Sequence, residues 1–280
     1  MPTHPINPNK PIHPMQDILQ EIVANKRIEL EQQKAIVPPA TLYKNVEELL
    51  AAGTQPHRSM RESLAASASG IIAEFKRKGP SKGWIKEEGQ PDVIPASYCQ
   101  NGASAISILT DEKYFGGSLR FLRTARPTVT CPILRKDFIV DEYQLYQAKA
   151  VGADAVLLIA ADLTKGECKA LAKKAHELEL ETLLEVHSEP ELEYVGENID
   201  MVGVNNRNLG TFHTDVANSY RLASLLPKDY VLVSESGISN PQTVRELREA
   251  GFRGFLIGET FMKTPDPGAS LASFIAQVTQ

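Results

Sequence analysis

The stretch Ile71-Ile72-Ala73-Glu74-Phe75-Lys76-Arg77-Lys78-Gly79-Pro80-Ser81 decides how this chain is read: an apolar run that ends abruptly in charge and then in Gly-Pro. Side chains alternate along a strand, so Glu74 and Lys76 share one face while Ala73 and Phe75 share the other. Gly79 and Pro80 stop the strand. A carboxylate and an ammonium therefore stand together at the C-terminal lip of a strand whose body reads as buried. An exposed surface ion pair is one explanation, because burying two charges for packing alone is costly. A functional site is the other, and the same pattern returns down the chain.

From Gly70 onward, short β-branched runs alternate with longer amphipathic stretches. Strands are predicted to begin near Ile71, Ala105, Pro132, Ala155, Thr182, Met201, Val231 and Gly254, with helices over 118–125, 142–150, 165–179, 216–225 and 241–250. Strands alternating with helices imply parallel crossovers, and eight of them favour an α/β fold of the (β/α)8 TIM-barrel type over an open sheet. Asn101-Gly102-Ala103, Val151-Gly152-Ala153 and Ala250-Gly251-Phe252 repeat one joint, a glycine that ends a helix in a left-handed turn just before the next strand. A Rossmann sheet has the same rhythm, but no Gly-x-Gly-x-x-Gly follows the first strand.

Ahead of the barrel, expected over 70–280, lies an N-terminal helical extension over 15–69. Its first helix, over 15–35, carries an apolar stripe of Ile18, Ile22, Val23 and Ile28, with Lys and Glu filling the other side. Pro38-Pro39 ends that helix, and 46–52 and 60–66 read as two shorter helical pieces. Residues 1–14 hold Pro2, Pro5, Pro8, Pro11 and Pro14 and are expected to form a mobile tail in which His4 and His13 are solvated.

Composition excludes several classes. Thirty basic and 35 acidic residues, spread along the chain, lack the one-sided basic surface of a nucleic-acid binder. No apolar stretch approaches the roughly 18 residues of a membrane helix. Residues 1–14 lack both a secretory core and a transit-peptide composition, so a cytoplasmic protein is expected, although removal of an organelle-targeting segment would leave the same start. The three cysteines, Cys99, Cys131 and Cys168, are widely spaced and form no Cys-x-x-Cys pair; neither a disulfide nor a zinc site is expected, which favours a reducing compartment.

In parallel barrels the C-terminal strand ends converge on one face and carry the chemistry. Two kinds of site emerge there. Ser236-Gly237 and Gly258-Glu259 follow the seventh and eighth strands, where backbone amides at a helix start seat a phosphate; Glu259 would contribute only its amide. Plain βα-turn glycines are the alternative. The second set is Lys136, Glu185, Lys76 and Glu74, with Asn205 and Arg207 beside them. Facing cations and carboxylates let one group give a proton while another takes it. A lysine acid needs its pKa lowered toward neutrality, by desolvation or by a second cation such as Lys76. A Schiff-base lysine is the competing chemistry.

Glu74-Phe75-Lys76-Arg77 with Pro80-Ser81-Lys82-Gly83, Leu134-Arg135-Lys136-Asp137-Phe138, Leu183-Leu184-Glu185-Val186-His187, Asn205-Asn206-Arg207-Asn208-Leu209, Ser234-Glu235-Ser236-Gly237-Ile238 and Leu256-Ile257-Gly258-Glu259 together resemble indole-3-glycerol phosphate synthase. The resemblance implies closure of an indole ring on a phosphorylated amino sugar with loss of carbon dioxide and water, in tryptophan biosynthesis, without metal or organic cofactor. It further implies that Lys136 is the general acid, that Glu185 removes a proton in the dehydration, that Lys76 binds the leaving carboxylate and that Glu74 orients the lysines. Asn205 and Arg207 would hold substrate hydroxyls or order the charges, Phe138 and Ser81 would contact substrate, and Ser236, Gly237, Gly258 and Glu259 would hold phosphate. The first helix would lie over the barrel mouth. Among partners, the resemblance implies a phosphorylated small molecule and weak association with other tryptophan-pathway enzymes. The chain departs from the family at Gly79, where a serine is common. His187, two residues beyond Glu185, is expected to support it rather than to touch substrate. Two other readings stay open: a sugar-phosphate lyase or isomerase of the Schiff-base type, and a non-catalytic phosphate-metabolite binder.

Overall fold

Eight parallel strands close into a barrel: β1 (Ile71–Phe75), β2 (Ala105–Leu109), β3 (Ile133–Lys136), β4 (Ala155–Ile159), β5 (Glu181–Val186), β6 (Met201–Asn205), β7 (Val231–Glu235) and β8 (Gly254–Ile257). Closure comes where β8 pairs with β1, Ile72 standing opposite Leu256. These are the strands read from the sequence. The computed structural model describes residues 14–80, 82–208 and 213–280. The Pro-rich tail, apart from Pro14, and Ser81 lie outside the described residues. The three glycine joints are built as expected, with Gly102, Gly152 and Gly251 at φ of 94°, 88° and 109°, values that L side chains rarely adopt.

Alternation along the strands sorts side chains into two cores. Ile72, Ala105, Leu134, Ala155, Leu183, Met201, Val231 and Leu256 pack together inside the barrel, and Met60 and Leu64 of the short helix α3 (Met60–Ala66) plug its floor. The opposite faces, among them Ile71, Ile106, Val156, Leu184 and Val202, pack against the surrounding helices. Each fully buried aliphatic side chain contributes about 1.5–3 kcal/mol, so the inward parity is held firmly. Counting two residues further along each strand from the inner layers reaches Glu74, Lys136, Glu185, Asn205 and Glu235. The packing that fixes the apolar layers therefore aims the polar one.

The helix α1 (Pro14–Ile36) corrects the expected stripe. Ile22 and Leu30 are buried, whereas Ile28 is 61% exposed and Lys26, assigned to the polar side, is 4% exposed. The helix is turned so that Lys26 faces the barrel, a placement dictated by distant carboxylates rather than by local hydrophobicity. Its neighbour α2 (Pro39–Ala52) starts seven residues earlier than expected, because Pro39 is an acceptable first-turn residue. Tyr43 of α2 stacks on Tyr146 of the helix Glu142–Ala150, ring centroids 3.9 Å apart.

Cys99 and Cys131 form a disulfide, contrary to the sequence expectation. Cys99 ends the helix α4 (Ile94–Gln100) and Cys131 leads into β3; the barrel closes their separation of 32 residues to 6.0 Å between Cα atoms. Cys168 is buried and free. Beyond β1 the chain makes a short antiparallel hairpin, Lys78–Gly79 against Gly83–Trp84, so that Lys76 stands just past the strand rather than within it.

Candidate active site

The C-terminal mouth of the barrel holds a cavity of about 430 Å³. Its floor is the polar layer described above. Lys136 Nζ lies 3.2 Å from Glu185 Oε2 and 3.8 Å from Glu235 Oε2. Asn205 Nδ2 donates to Glu185 Oε1 at 3.0 Å, and the Asn205 side-chain oxygen accepts from the Arg207 amide. Lys76 Nζ pairs with Glu74 Oε1 at 3.0 Å, and Glu74 is buried, so this is not a surface pair. Two glycines make room for the carboxylates. A Cβ at Gly203 would collide with Glu235 Oε1, and one at Gly258 would lie 2.7 Å from Glu74 Oε1.

Charge balance corrects one expectation. Burial alone would lower the pKa of Lys136, but Glu185, Glu235 and Glu74 outweigh it and raise the group above its ordinary value. The carboxylates respond in opposite directions. For Glu185, burial is overcome by Lys136 and His187, which hold it well below the usual carboxylate range. Burial and the Glu185 charge push Glu235 up to about 8. The surroundings thus favour the ionised form of Glu185 and the protonated form of Glu235.

The sequence profile described as Indole-3-glycerol phosphate synthase matches residues 19–274. The chain belongs to the indole-3-glycerol phosphate synthase family. A member from Bacteroides thetaiotaomicron is 63% identical over 94% of this chain and 100% of its own length. One from a Polaromonas species is 42% identical over 92% of this chain and 98% of its own. Among solved structures, 3-hexulose-6-phosphate synthase from Salmonella typhimurium (TM-score 0.59, 13% identity, 75% of this chain and 98% of that one) shares the fold. So does a tryptophan synthase α-subunit from Pyrococcus furiosus (TM-score 0.56, 16% identity, 75% and 97%).

The cavity brings together Glu74, Lys76, Lys136, Phe138, Glu185, Asn205, Arg207, Ser236, Gly237, Gly258 and Glu259. Ser81 lies outside the described residues, while its neighbours Pro80 and Lys82 line the wall. Ser236 and Gly237 both have positive φ, 69° and 77°. The buried Asn206 braces this turn by donating to the Ser236 carbonyl at 3.1 Å, and Thr260 Oγ1, in the short helix Glu259–Met262 after β8, donates to the Ile238 carbonyl at 3.2 Å. Glu259 does more than offer an amide, since its carboxylate pairs with Lys82 Nζ at 2.8 Å.

Sequence reasoning assigned no role to Glu235, Lys82 or Phe115; the helix expected over the mouth lines the cavity through Ile18, Leu19 and Ile22, together with Phe115 and Phe138. For Glu235 the signal was present: it occupies the inward register of β7, level with Asn205 on β6. Gly79 is not among the lining residues, and a side chain added there would meet nothing within 4 Å. No helix among the described residues is long and apolar enough to cross a membrane.

Proposed function

We propose that the chain converts 1-(2-carboxyphenylamino)-1-deoxyribulose 5-phosphate to indole-3-glycerol phosphate, as a carboxy-lyase of tryptophan biosynthesis. The phosphate sits against Ser236, Gly237, Gly258 and Glu259, and the aryl ring beneath the apolar roof beside Phe138. Ring closure forms a bond from the carboxylate-bearing ring carbon to the sugar carbonyl carbon, and the carbonyl oxygen takes a proton from Lys136 Nζ. Breaking the bond to the carboxylate, held until then by Lys76, returns its electron pair to the ring and releases carbon dioxide. In the second half Lys76 Nζ gives a proton to the new hydroxyl, which leaves as water, while Glu185 takes the proton from the adjacent carbon. Glu74 orients Lys76; Asn205 and Arg207 hold Glu185 and the sugar hydroxyls in register.

What carries this reading is the Lys136–Glu185 contact of 3.2 Å, an acid and a base at one end of a cavity whose other wall suits phosphate. A Schiff-base route is disfavoured, because it needs an unprotonated lysine and the ionised carboxylates beside Lys136, Glu185 foremost, hold its proton. The reading treats 15–69 as an extension that roofs the barrel of 70–280, and it includes a cytoplasmic setting and weak association with other tryptophan-pathway enzymes. Mixing the purified protein with the carboxyphenylamino sugar phosphate is expected to give indole fluorescence and one carbon dioxide per turnover. A borohydride-trapped lysine adduct without fluorescence would replace this reading with the aldolase type.

A further inference from the structure

His187 is absent from the cavity wall, yet its ring stands directly behind Glu185. Nε2 lies 3.1 Å from Glu185 Oε1, as an ion contact off the hydrogen-bond line, and Nδ1 lies 3.4 Å from Glu191 Oε2. A neutral imidazole has one N–H and one lone pair, so it would turn a lone pair toward one of these carboxylates; only the imidazolium suits both. Glu191 is itself fixed, accepting from the His187 amide at 2.7 Å and from Ser188 Oγ at 3.0 Å. Asn218 Nδ2, 3.1 Å from both carbonyl oxygens, joins His187 to Asn205. The two oxygens of Glu185 are thereby divided. Oε1 is held from behind by His187 and Asn205, and Oε2 is left to Lys136 and the cavity.

We propose that His187 is a positioning residue whose fixed positive charge decides which member of the Glu185–Glu235 pair keeps the shared proton. Lys136 touches both carboxylates, at 3.2 and 3.8 Å, so it discriminates weakly between them, and it surrenders its own proton during ring closure. Of the two, His187 contacts Glu185. It keeps Glu185 ionised and Glu235 neutral through the first half of the reaction, so the base is unprotonated when dehydration needs it. A further titratable group facing this corner, besides Lys136 and Glu191, is Asp162, which ends the 3-10 turn Ala160–Asp162 after β4. Burial leads its pKa up to about 7, with Glu185 adding to the effect and His187 and Lys136 opposing it, so in acid it is neutral and does not compensate His187.

This inference rests on Glu185 being the base of the proposed reaction, and one measurement is independent of turnover. Nitrogen NMR of the unliganded protein is expected to show the His187 ring doubly protonated at pH 8, consistent with a pKa raised to about 10: burial opposes the proton, but contacts with Glu185 and Glu191 prevail. A ring that titrates near its ordinary value of about 6.5 overturns the proposal whatever the enzyme's reaction. With turnover in hand, His187→Gln is expected to move the acid limb of the kcat/KM profile upward by about one pH unit or more, since an opposite charge at this range shifts a carboxyl by about 1–3 units. Glu191→Gln, which keeps the ring but removes its anchor, moves the limb the same way by less, and Asp162→Asn leaves it in place. A His187→Gln enzyme that is slower with an unmoved acid limb assigns the residue to packing and ends the proposal.

Discussion

Two buried charge clusters sit a few residues apart in this barrel, and they are built to opposite ends. In the outer one, Lys26 Nζ meets Asp111 Oδ2 at 2.9 Å and Asp137 Oδ1 at 3.0 Å. Arg135 Nη2 donates to Asp137 Oδ2 at 3.0 Å, while its Nη1 donates to the Gln144 carbonyl at 2.6 Å. Lys26 also reaches Glu29 Oε2 at 3.0 Å, so two cations face three anions, and nearly every proton has an acceptor. The inner cluster has Glu74, Glu185 and Glu235 around Lys136 and Lys76, with His187 behind Glu185, and burial beside the Glu185 charge drives Glu235 toward its protonated form. Adjacent residues of one segment, Lys136 and Asp137, serve the two clusters because alternate side chains point into the barrel and out of it. A closed set of ion pairs makes a brace, whereas a carboxyl driven toward its protonated form leaves a proton that chemistry can move.

The contrast is tested most severely by removing one cation from each cluster. Lys136→Ala is expected to cut kcat by roughly 10³-fold, within the range for a general acid, while a phosphate-bearing product analogue still binds. Equal loss of binding and turnover would make Lys136 a binding group instead. Lys26→Met is expected to cost about 3 kcal/mol in urea unfolding, because it leaves two buried carboxylates without their shared counter-ion. Its turnover defect appears chiefly in KM, since α1 carries Ile18, Leu19 and Ile22 over the cavity. A Lys26→Met protein with parental stability and a collapsed kcat would merge the two clusters.

The clusters also differ in the sign of their pH response. Glu235, with its folded pKa raised to about 8, holds a proton that the unfolded chain releases near 4.5. Between those values the folded state binds more protons, so stability falls as pH rises. Glu235→Gln removes that dependence. It is expected to gain roughly 2 kcal/mol over the parent between pH 5 and pH 8, a fraction of the full shift because Glu185 titrates with it. A constant difference across that range would mean that Glu235 is ionised throughout.

How far the sequence leads follows the same division. The barrel was legible because its signals are local: β-branched runs, and glycines such as Gly102 and Gly152 that close one helix and open the next strand. The inner cluster was largely legible too, since strand parity carries Lys136 and Glu185 inward from their apolar neighbours. Glu235 lay in the same register but drew no role, because its place depends on the missing side chain of Gly203 across the sheet. Lys26 was misread, as local periodicity counts every lysine toward the solvent face and its partners are far along the chain. The direction of the Lys136 shift differs from the sequence expectation for a related reason: Lys76 is visible as a neighbouring cation, whereas the carboxylate of Glu235 is not. Cys99 and Cys131 meet only after the barrel has formed, so their spacing gave no sign of a pair.

The gentlest probe of the outer cluster is Thr110→Val. Thr110 Oγ1 donates to Asp137 Oδ2 at 2.6 Å and accepts from Arg135 Nε at 3.2 Å, so a valine of similar shape removes two contacts and leaves the charges in place. Burial would raise the pKa of Asp137, but Lys26, Arg135 and this hydroxyl together hold it below its ordinary value. A depressed folded pKa contributes stability that is present above the unfolded value of about 3.9 and lost as pH falls through the folded one. Without the hydroxyl the folded pKa rises toward the unfolded value, so the variant is expected to lose about 1 kcal/mol at pH 7, with the gap to the parent narrowing in acid. Its turnover at neutral pH is expected to stay within about twofold of the parent, because the proton inventory around Lys136 is untouched. A tenfold fall in kcat at unchanged stability would show that the brace sets the chemistry after all, since Asp137 is bonded in sequence to the acid it was taken only to support.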